Sequence, residues 1–129
     1  MRVIYNIAIV QIKALLFILK FLNSKIRSFV EERKNVLEIL ENNISRNDNY
    51  IWIHVASLGE YEQGLPIFKE IKSLYKNHKI VLSFFSSSGY EVRKNNPISD
   101  LTVYLPLDTS TNAKKFISLI NPKMVFFVK

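Results

Sequence analysis

The chain has 129 residues, enough for one domain, and its 18 Lys and Arg residues outnumber its 11 Asp and Glu residues, so the formal net charge at pH 7 is +7. Cysteine is absent, which excludes disulfides and cysteine-based metal sites. The two histidines, His54 and His78, do not have the spacing of metal ligands, which disfavours a zinc site.

Residues 1–30 combine apolar character with positive charge. They contain no acidic residue but five basic ones: Arg2, Lys13, Lys20, Lys25 and Arg27. The apolar run at residues 3–22 has the length of about 20 residues that a membrane span needs. However, Asn6, Lys13 and Lys20 recur every seven residues and form a narrow polar stripe on a helix, and a lysine in mid-span would cost roughly 3 kcal/mol. We therefore expect a helix that lies in the membrane interface with this stripe toward water and headgroups.

A single tilted membrane span is the main alternative for this helix. A signal peptide is disfavoured because the segment has no clean apolar core and no small-residue cleavage site. A helix packed in a protein core would not need five basic residues without an acidic neighbour. No RNA-binding aromatic motif and no helix-turn-helix pattern accompanies the positive charge, so we expect an anionic membrane surface, and no nucleic acid, as the partner.

Residues 31–47 mix charged and apolar side chains in a pattern that predicts an amphipathic helix ending near residues 42–43. Most of its charges are expected to form a solvated face. A turn signal at residues 47–49 follows. The predicted organisation is therefore a membrane-associated helix over residues 1–30, an amphipathic helix or linker over 31–47 and an α/β domain over 48–129.

The α/β domain begins with a predicted strand at residues 51–56, which is largely apolar on both faces. Such a strand suits a parallel sheet that is covered on both sides. At residues 57–60 the pattern breaks, and apolar residues then recur at steps of three and four up to Tyr75, which predicts a helix. Ligands of open α/β sheets bind at the carboxyl ends of strands, so this turn is the first candidate site.

Ser57 and Glu60 in this turn have the spacing of a capping box, in which each side chain bonds to the backbone of the other residue. The structural interpretation makes Glu60 a helix cap. The functional interpretation makes it a general base, because a carboxylate beside a helix N-terminus is stabilised in its charged form and can accept the proton of a substrate hydroxyl. Gly59 would let such a substrate approach the backbone closely.

A second predicted strand, residues 79–85, leads into a turn made of Ser86, Ser87, Ser88 and Gly89. The hydroxyls and backbone N–H groups of such a turn can hold sugar hydroxyls or a phosphate. The same residues also suit a helix N-cap followed by a flexible turn, so both interpretations stay open.

Two more strands are predicted, at residues 101–105 and 124–128, with helices at residues 90–95 and 109–120 between the strands. Asp108 is expected to cap the last helix rather than to act as a catalytic acid. The alternation of strands and helices predicts an α/β fold with a parallel sheet and right-handed crossovers. Neither G-x-G-x-x-G nor a Walker sequence occurs, so no nucleotide is expected to bind within these residues.

Residues 54–61 read H-V-A-S-L-G-E-Y, which resembles the H-x-[AV]-S-[VIL]-G-E-[FY] signature of the 3-deoxy-D-manno-octulosonic acid (Kdo) transferases. These membrane-associated enzymes add Kdo to the lipid A precursor. Residues 82–90 resemble the second strand and turn of that family, residues 104–108 its Y-L-P-x-D segment and residues 121–129 its strand introduced by P-K. The resemblance runs in order along the chain.

This resemblance implies a Rossmann-like parallel sheet that forms the N-terminal, acceptor-side half of a two-domain GT-B glycosyltransferase. The implied reaction moves Kdo from CMP-Kdo to the lipid A precursor at the cytoplasmic face of the inner membrane, in lipopolysaccharide biosynthesis. It makes Glu60 the catalytic base, with Ser57 and Gly59 shaping the turn around it, and leaves the turn of residues 86–89 as a further candidate for substrate binding. No metal and no cofactor are implied.

In that family an acidic-aromatic motif and a second Rossmann-like domain, which binds the cytidine nucleotide of the donor, follow the last strand found here. We therefore expect residues 48–129 to be an incomplete acceptor-side domain and the chain to be inactive alone. One alternative is another GT-B glycosyltransferase with a different acceptor. The other is a membrane-attached Rossmann-like module without catalysis, in which Glu60 is only a cap.

Overall fold

A computed structural model of the chain describes residues 2–19 and 23–129. The elements within these residues, in chain order, are α1 (Arg2–Leu19), α2 (Ser24–Lys34), α3 (Val36–Asn43), β1 (Asn49–Val55), α4 (Leu58–Leu74), β2 (His78–Phe84), α5 (Ser87–Arg93), β3 (Leu101–Tyr104), α6 (Ser110–Ile120) and β4 (Met124–Val128).

The four strands form one parallel sheet in the order β3-β2-β1-β4. β1 lies inside the sheet, where Ile53 is paired with Leu82 of β2 on one side and with Phe126 of β4 on the other. All four carboxyl ends therefore meet at one edge, which we call the carboxyl edge. The predicted α/β fold with a parallel sheet is confirmed.

Each face of the sheet is covered by its own helices, as the apolar character of both faces of β1 predicts. On one face, the buried side chains of Ile51, Ile53 and Val55 pack with residues of α4, namely Tyr61, Phe68 and Ile71. On the other face, Tyr50 and Trp52 pack with residues of α3 and α6, namely Val36, Leu40, Phe116 and Ile120. Burial of one such side chain contributes about 1.5–3 kcal/mol, so both faces hold β1 firmly and fix the turn at its carboxyl end.

The N-terminal helices have different bounds from those predicted. Asn23 caps α2 by accepting a hydrogen bond from the Lys25 backbone N–H at 2.9 Å, so a new helix begins there. The amphipathic helix predicted within residues 31–47 ends where expected, since α3 ends at Asn43, but it is not continuous, because Asn35 leaves the helical conformation and separates α2 from α3. This break lets α3 turn its buried residues onto the sheet.

The exposed surface of α1 is mostly apolar. Val3 and Ile4 are 70% and 71% exposed, and the other strongly exposed apolar residues of α1 include Ile7, Val10, Ile12, Leu15 and Ile18. Among residues 2–19 and 23–129, no helix is long and apolar enough to cross a membrane.

The predicted polar stripe of α1 does not point outward. Asn6 and Lys13 are half-buried, as are Ile9, Leu16 and Leu19, whereas the other apolar residues of α1 are exposed. Tyr5 donates a hydrogen bond to the Asp108 carboxylate ahead of α6, which ties the start of α1 to the main domain. Lys20, the third residue of the stripe, lies outside the described residues. The orientation expected for the stripe, toward water, is therefore wrong for Asn6 and Lys13.

Arg33 is the one charged residue among the fully described side chains that is buried in the domain. Its guanidinium donates to the Phe29 carbonyl at 2.9 Å and to the Phe85 carbonyl, and it lies 3.6 Å from the centroid of the Phe29 ring. The expectation of a solvated charged face is thus wrong for Arg33. Because Phe85 immediately follows β2, Arg33 fastens α2 to the carboxyl edge.

We predict that Arg33→Ala lowers the free energy of unfolding by about 3 kcal/mol, because charge-assisted hydrogen bonds are lost inside the protein. Urea denaturation measures this change. Arg27→Ala, on an exposed position of the same helix, is the matched control and should change the free energy by no more than about 0.5 kcal/mol. Equal, small effects of the two substitutions would contradict a structural role for Arg33.

Candidate functional site

The turn after β1 contains a capped helix start. Ser57 precedes α4 in an extended conformation, and its hydroxyl accepts a hydrogen bond from the Glu60 backbone N–H at 3.3 Å. The Glu60 carboxylate reaches back and accepts a hydrogen bond, through Oε2, from the Ala56 backbone N–H. The pair therefore forms the predicted cap, with the carboxylate bonded one residue earlier than in the usual capping box.

The cap uses only one of the two oxygens of the Glu60 carboxylate. Oε1 has no hydrogen-bonding partner among the described residues and is not one of their buried unpaired atoms, so it is open to solvent. The side chain as a whole is half-buried. The two interpretations are therefore compatible, since Oε2 anchors the side chain and Oε1 can still accept a proton or a hydrogen bond.

Gly59 is exposed, and a methyl group built at its Cα would meet only the Ser57 hydroxyl, at 3.9 Å. Its φ is not positive, so neither packing nor backbone conformation requires a glycine there. Because Gly59 has no side chain, the space above the first turn of α4 is open. Its contribution to substrate binding stays a prediction.

The turn after β2 is also a helix cap. Ser86 precedes α5, its hydroxyl accepts from the Gly89 backbone N–H at 3.2 Å, and it lies 3.4 Å from the Ser88 hydroxyl. Ser87 and Ser88 are exposed, whereas Gly89 is buried. The capping interpretation accounts for Ser86, and the exposed hydroxyls of Ser87 and Ser88 can reach a ligand.

The two turns touch each other at the carboxyl edge. The Ser86 backbone N–H donates to the Ala56 carbonyl at 2.8 Å. A methyl group on Gly89 would come within 2.7 Å of the Phe84 ring and 3.0 Å of the Leu58 backbone nitrogen. The structure thus brings the predicted site residues of both turns together, and it assigns Gly89 to their packing.

Behind the first turn, three side chains form a hydrogen-bonded chain. Trp52 donates from Nε1 to the fully buried Ser83 hydroxyl at 2.8 Å, and His54 Nδ1 lies 2.9 Å from the same hydroxyl. Burial lowers the pKa of His54 below its ordinary value, while an interaction with the Ser83 backbone and the negative charge of Glu60 act in the opposite direction. His54 is therefore neutral at pH 7 and lies within electrostatic reach of Glu60.

Sequence reasoning took His54 as a strand residue and did not identify Ser83 or Arg33. Ser83 carries a signal of its own, since a serine in the middle of an apolar strand buried on both faces needs a hydrogen-bonding partner. His54 sits directly opposite it in the register of β1 and β2. For Arg33 no local signal exists, because its partner Phe85 is 52 residues away.

An apolar cavity of about 280 Å³ lies beside this group, between the sheet and α6. Its lining consists of Trp52, Leu105, Pro106, Leu107, Asp108, Ala113, Phe116, Ile117 and Phe127. The His54 ring does not line the cavity but lies 5.6 Å from the ring of Phe127, which does. Glu60 and the serines of the second turn do not line it.

An α/β domain with a parallel sheet and capped turns at its carboxyl edge is of the class that carries ligands at that edge. Residues 28–129 match the sequence model of a family described as 3-deoxy-D-manno-octulosonic-acid transferase (kdotransferase). Since this match covers most of the chain, the protein belongs to the Kdo transferase family.

Similar proteins are found in several bacteria. The chain is 38% identical to a 3-deoxy-D-manno-octulosonic acid transferase of Aquifex aeolicus over 61% of its own length and 22% of that protein. It is 32% identical to the transferase of the same name from Haemophilus influenzae over 57% of its length and 18% of that protein. A bifunctional glycosyltransferase/methyltransferase of Fusobacterium nucleatum is 27% identical over 84% of the chain and 17% of that protein. The chain thus spans about a fifth of these relatives, and no solved structure matches it.

The packing of the two turns can be tested with a matched pair of glycine substitutions. We predict that Gly89→Ala lowers the free energy of unfolding by about 1–3 kcal/mol, because the added methyl group would meet the Phe84 ring and the Leu58 backbone nitrogen. Gly59→Ala enters open space in a helix and should leave stability unchanged or raise it by up to about 1 kcal/mol. Urea denaturation of both variants measures the difference. Equal stability of the two would show that the turns do not meet as described.

Proposed function

We propose that this protein acts as the acceptor-side part of a Kdo transferase that moves Kdo from CMP-Kdo to the lipid A precursor in lipopolysaccharide biosynthesis. Glu60 is the general base in this proposal. The observation that carries it is that the two oxygens of the Glu60 carboxylate differ in their contacts. Oε2 accepts a hydrogen bond from the Ala56 N–H, whereas Oε1 has no such partner and is accessible to solvent. Membership of the Kdo transferase family supports the choice of reaction.

In the proposed reaction the acceptor hydroxyl donates a hydrogen bond to Glu60 Oε1. The hydroxyl proton passes to the carboxylate while the oxygen forms a bond with the anomeric carbon of Kdo. The bond between that carbon and the phosphate oxygen of CMP breaks, and CMP leaves with the electron pair. The bond from Ala56 keeps the carboxylate in one orientation, which lowers the cost of reaching the reactive geometry. CMP-Kdo binds outside the described residues, and the proposal includes no metal or cofactor.

A specific observation favours a second candidate, in which the domain binds ligands without catalysis. The Glu60 carboxylate does form a cap, and a cap alone would explain its position. The two candidates differ in what the loss of the negative charge should do. Glutamine can still accept the Ala56 hydrogen bond, but it cannot take a proton from a hydroxyl.

We predict that Glu60→Gln in the whole enzyme lowers the rate of Kdo transfer by about 100-fold or more. Ser57→Ala removes the other half of the cap and should cost about 1 kcal/mol of stability while the rate is largely retained. Transfer from CMP-Kdo to a lipid A precursor and thermal unfolding are measured for both variants. Comparable rates for Glu60→Gln and the unchanged enzyme would leave Glu60 with the capping role alone.

We also propose that α1 lies in the interface of an anionic membrane, at the cytoplasmic face of the inner membrane. Its exposed apolar side chains support this placement, as does the absence of acidic residues in residues 1–30. As the sequence predicts, the proposal puts the exposed apolar surface of α1 against the lipid, while Asn6 and Lys13 are half-buried. The acylated acceptor would then be held close to the carboxyl edge.

Vesicle flotation tests this placement. We predict that the double variant Ile4→Glu, Leu15→Glu reduces binding to phosphatidylglycerol-containing vesicles by at least about tenfold, since two apolar contacts with lipid are lost. The control is Ile67→Glu, Val92→Glu, which changes two similarly exposed apolar residues of α4 and α5. Equal flotation of both double variants would remove α1 as the membrane contact.

A further inference from the structure

We propose that His54 donates a hydrogen bond from Nε2–H to an oxygen of the sugar acceptor, and that Trp52 and Ser83 hold its ring in the tautomer that makes this possible. The inference rests on the proposed function, because it places the acceptor beside Glu60. In this inference His54 contacts the substrate and supplies a neutral hydrogen-bond donor. The site otherwise offers a hydrogen-bond acceptor, Glu60 Oε1.

The tautomer follows from the partners of the Ser83 hydroxyl. The indole Nε1–H of Trp52 can only donate, so Ser83 Oγ must accept from it. Ser83 is fully buried, and the remaining partner of its hydroxyl among the described residues is His54 Nδ1, at 2.9 Å. A buried hydroxyl proton needs an acceptor, so it points at Nδ1. Nδ1 is therefore unprotonated, and a neutral ring then carries its proton on Nε2.

The surroundings of the ring disfavour a charged imidazolium. The ring lies against two aromatic neighbours, with centroid distances of 6.4 Å to Trp52 and 5.6 Å to Phe127. Protonation of Nδ1 would also turn the Ser83 proton away from its acceptor, inside a buried site. Burial lowers the pKa of His54, in agreement with a neutral ring at pH 7.

The Nε2 atom is the nitrogen of the His54 ring that could contact a ligand. It has no side-chain hydrogen-bonding partner among the described residues and is not one of their buried unpaired atoms, so it keeps some contact with solvent. The Glu60 carboxylate is close enough for its charge to act on the His54 ring. A neutral N–H donor beside a carboxylate acceptor suits a ligand rich in hydroxyl groups, since a sugar can accept from one and donate to the other.

Neutrality also matters for Glu60. An imidazolium would attract the Glu60 carboxylate and compete with the acceptor for Oε1. A neutral Nε2–H can orient the sugar and leaves Oε1 available as the base. Trp52 and Ser83 are positioning residues in this scheme, since they act only through the His54 ring.

The tautomer can be measured directly on the 129-residue chain by ¹⁵N-edited NMR of the histidine ring at neutral pH. We expect Nδ1 to be unprotonated and Nε2 to carry the proton. Ser83→Ala should release this preference and give a mixture of tautomers, whereas Ser118→Ala, an exposed serine on α6, should change nothing. A protonated Nδ1 in the unchanged protein would overturn the inference.

A kinetic measurement in the whole enzyme tests the contact with substrate. His54→Ala should lower kcat/KM by about tenfold, the expected effect of losing one neutral hydrogen bond to the sugar. His54→Gln can place an amide N–H near the position of Nε2 and should recover most of that loss, whereas His54→Asn is too short and should not. Equal kcat/KM for all three variants and the unchanged enzyme would overturn the inference.

Failure of this inference is distinguishable from failure of the proposed function. If Glu60→Gln abolishes transfer while His54→Ala does not affect it, Glu60 keeps its role and His54 loses the one proposed here. If Glu60→Gln is fully active, the proposed function fails, whichever tautomer the NMR spectrum shows.

Discussion

The arrangement of the carboxyl edge depends on one backbone hydrogen bond, from the Ala56 N–H to the Glu60 carboxylate. Ala56 directly follows β1, and its carbonyl accepts from Ser86 in the neighbouring turn. The same residue thus fixes the side chain that we propose as the base and the turn that we propose as part of the binding surface. Because β1 is buried on both faces, this anchor cannot shift without disturbing both halves of the core.

Two further constraints act on the same edge. Arg33 bonds the Phe85 carbonyl and so holds the entrance to the second turn against α2. Trp52 and Ser83 hold the His54 ring just before the first turn. In both cases a buried polar group is hydrogen-bonded to a partner distant in sequence. In both cases the loss of that partner leaves an unpaired group in the protein interior.

The sequence was sufficient to predict the parts of the fold that depend on local pattern. Both faces of residues 51–56 are apolar, which predicted a doubly covered strand, and the spacing of Ser57 and Glu60 predicted the cap. Long-range contacts could not be predicted in this way. Arg33 stands in a run of charges that resembles a solvated face, and the inward orientation of Asn6 and Lys13 depends on how α1 lies against the main domain.

The most direct test of this account is an experimental structure of the protein with a phosphorylated glucosamine disaccharide, the headgroup of the proposed acceptor. The account predicts an acceptor hydroxyl within about 2.6–3.2 Å of Glu60 Oε1, the range in which a general base acts, with Oε2 still bonded to the Ala56 N–H. A disaccharide bound away from the carboxyl edge, or a Glu60 carboxylate with both oxygens bonded to the protein, would contradict it.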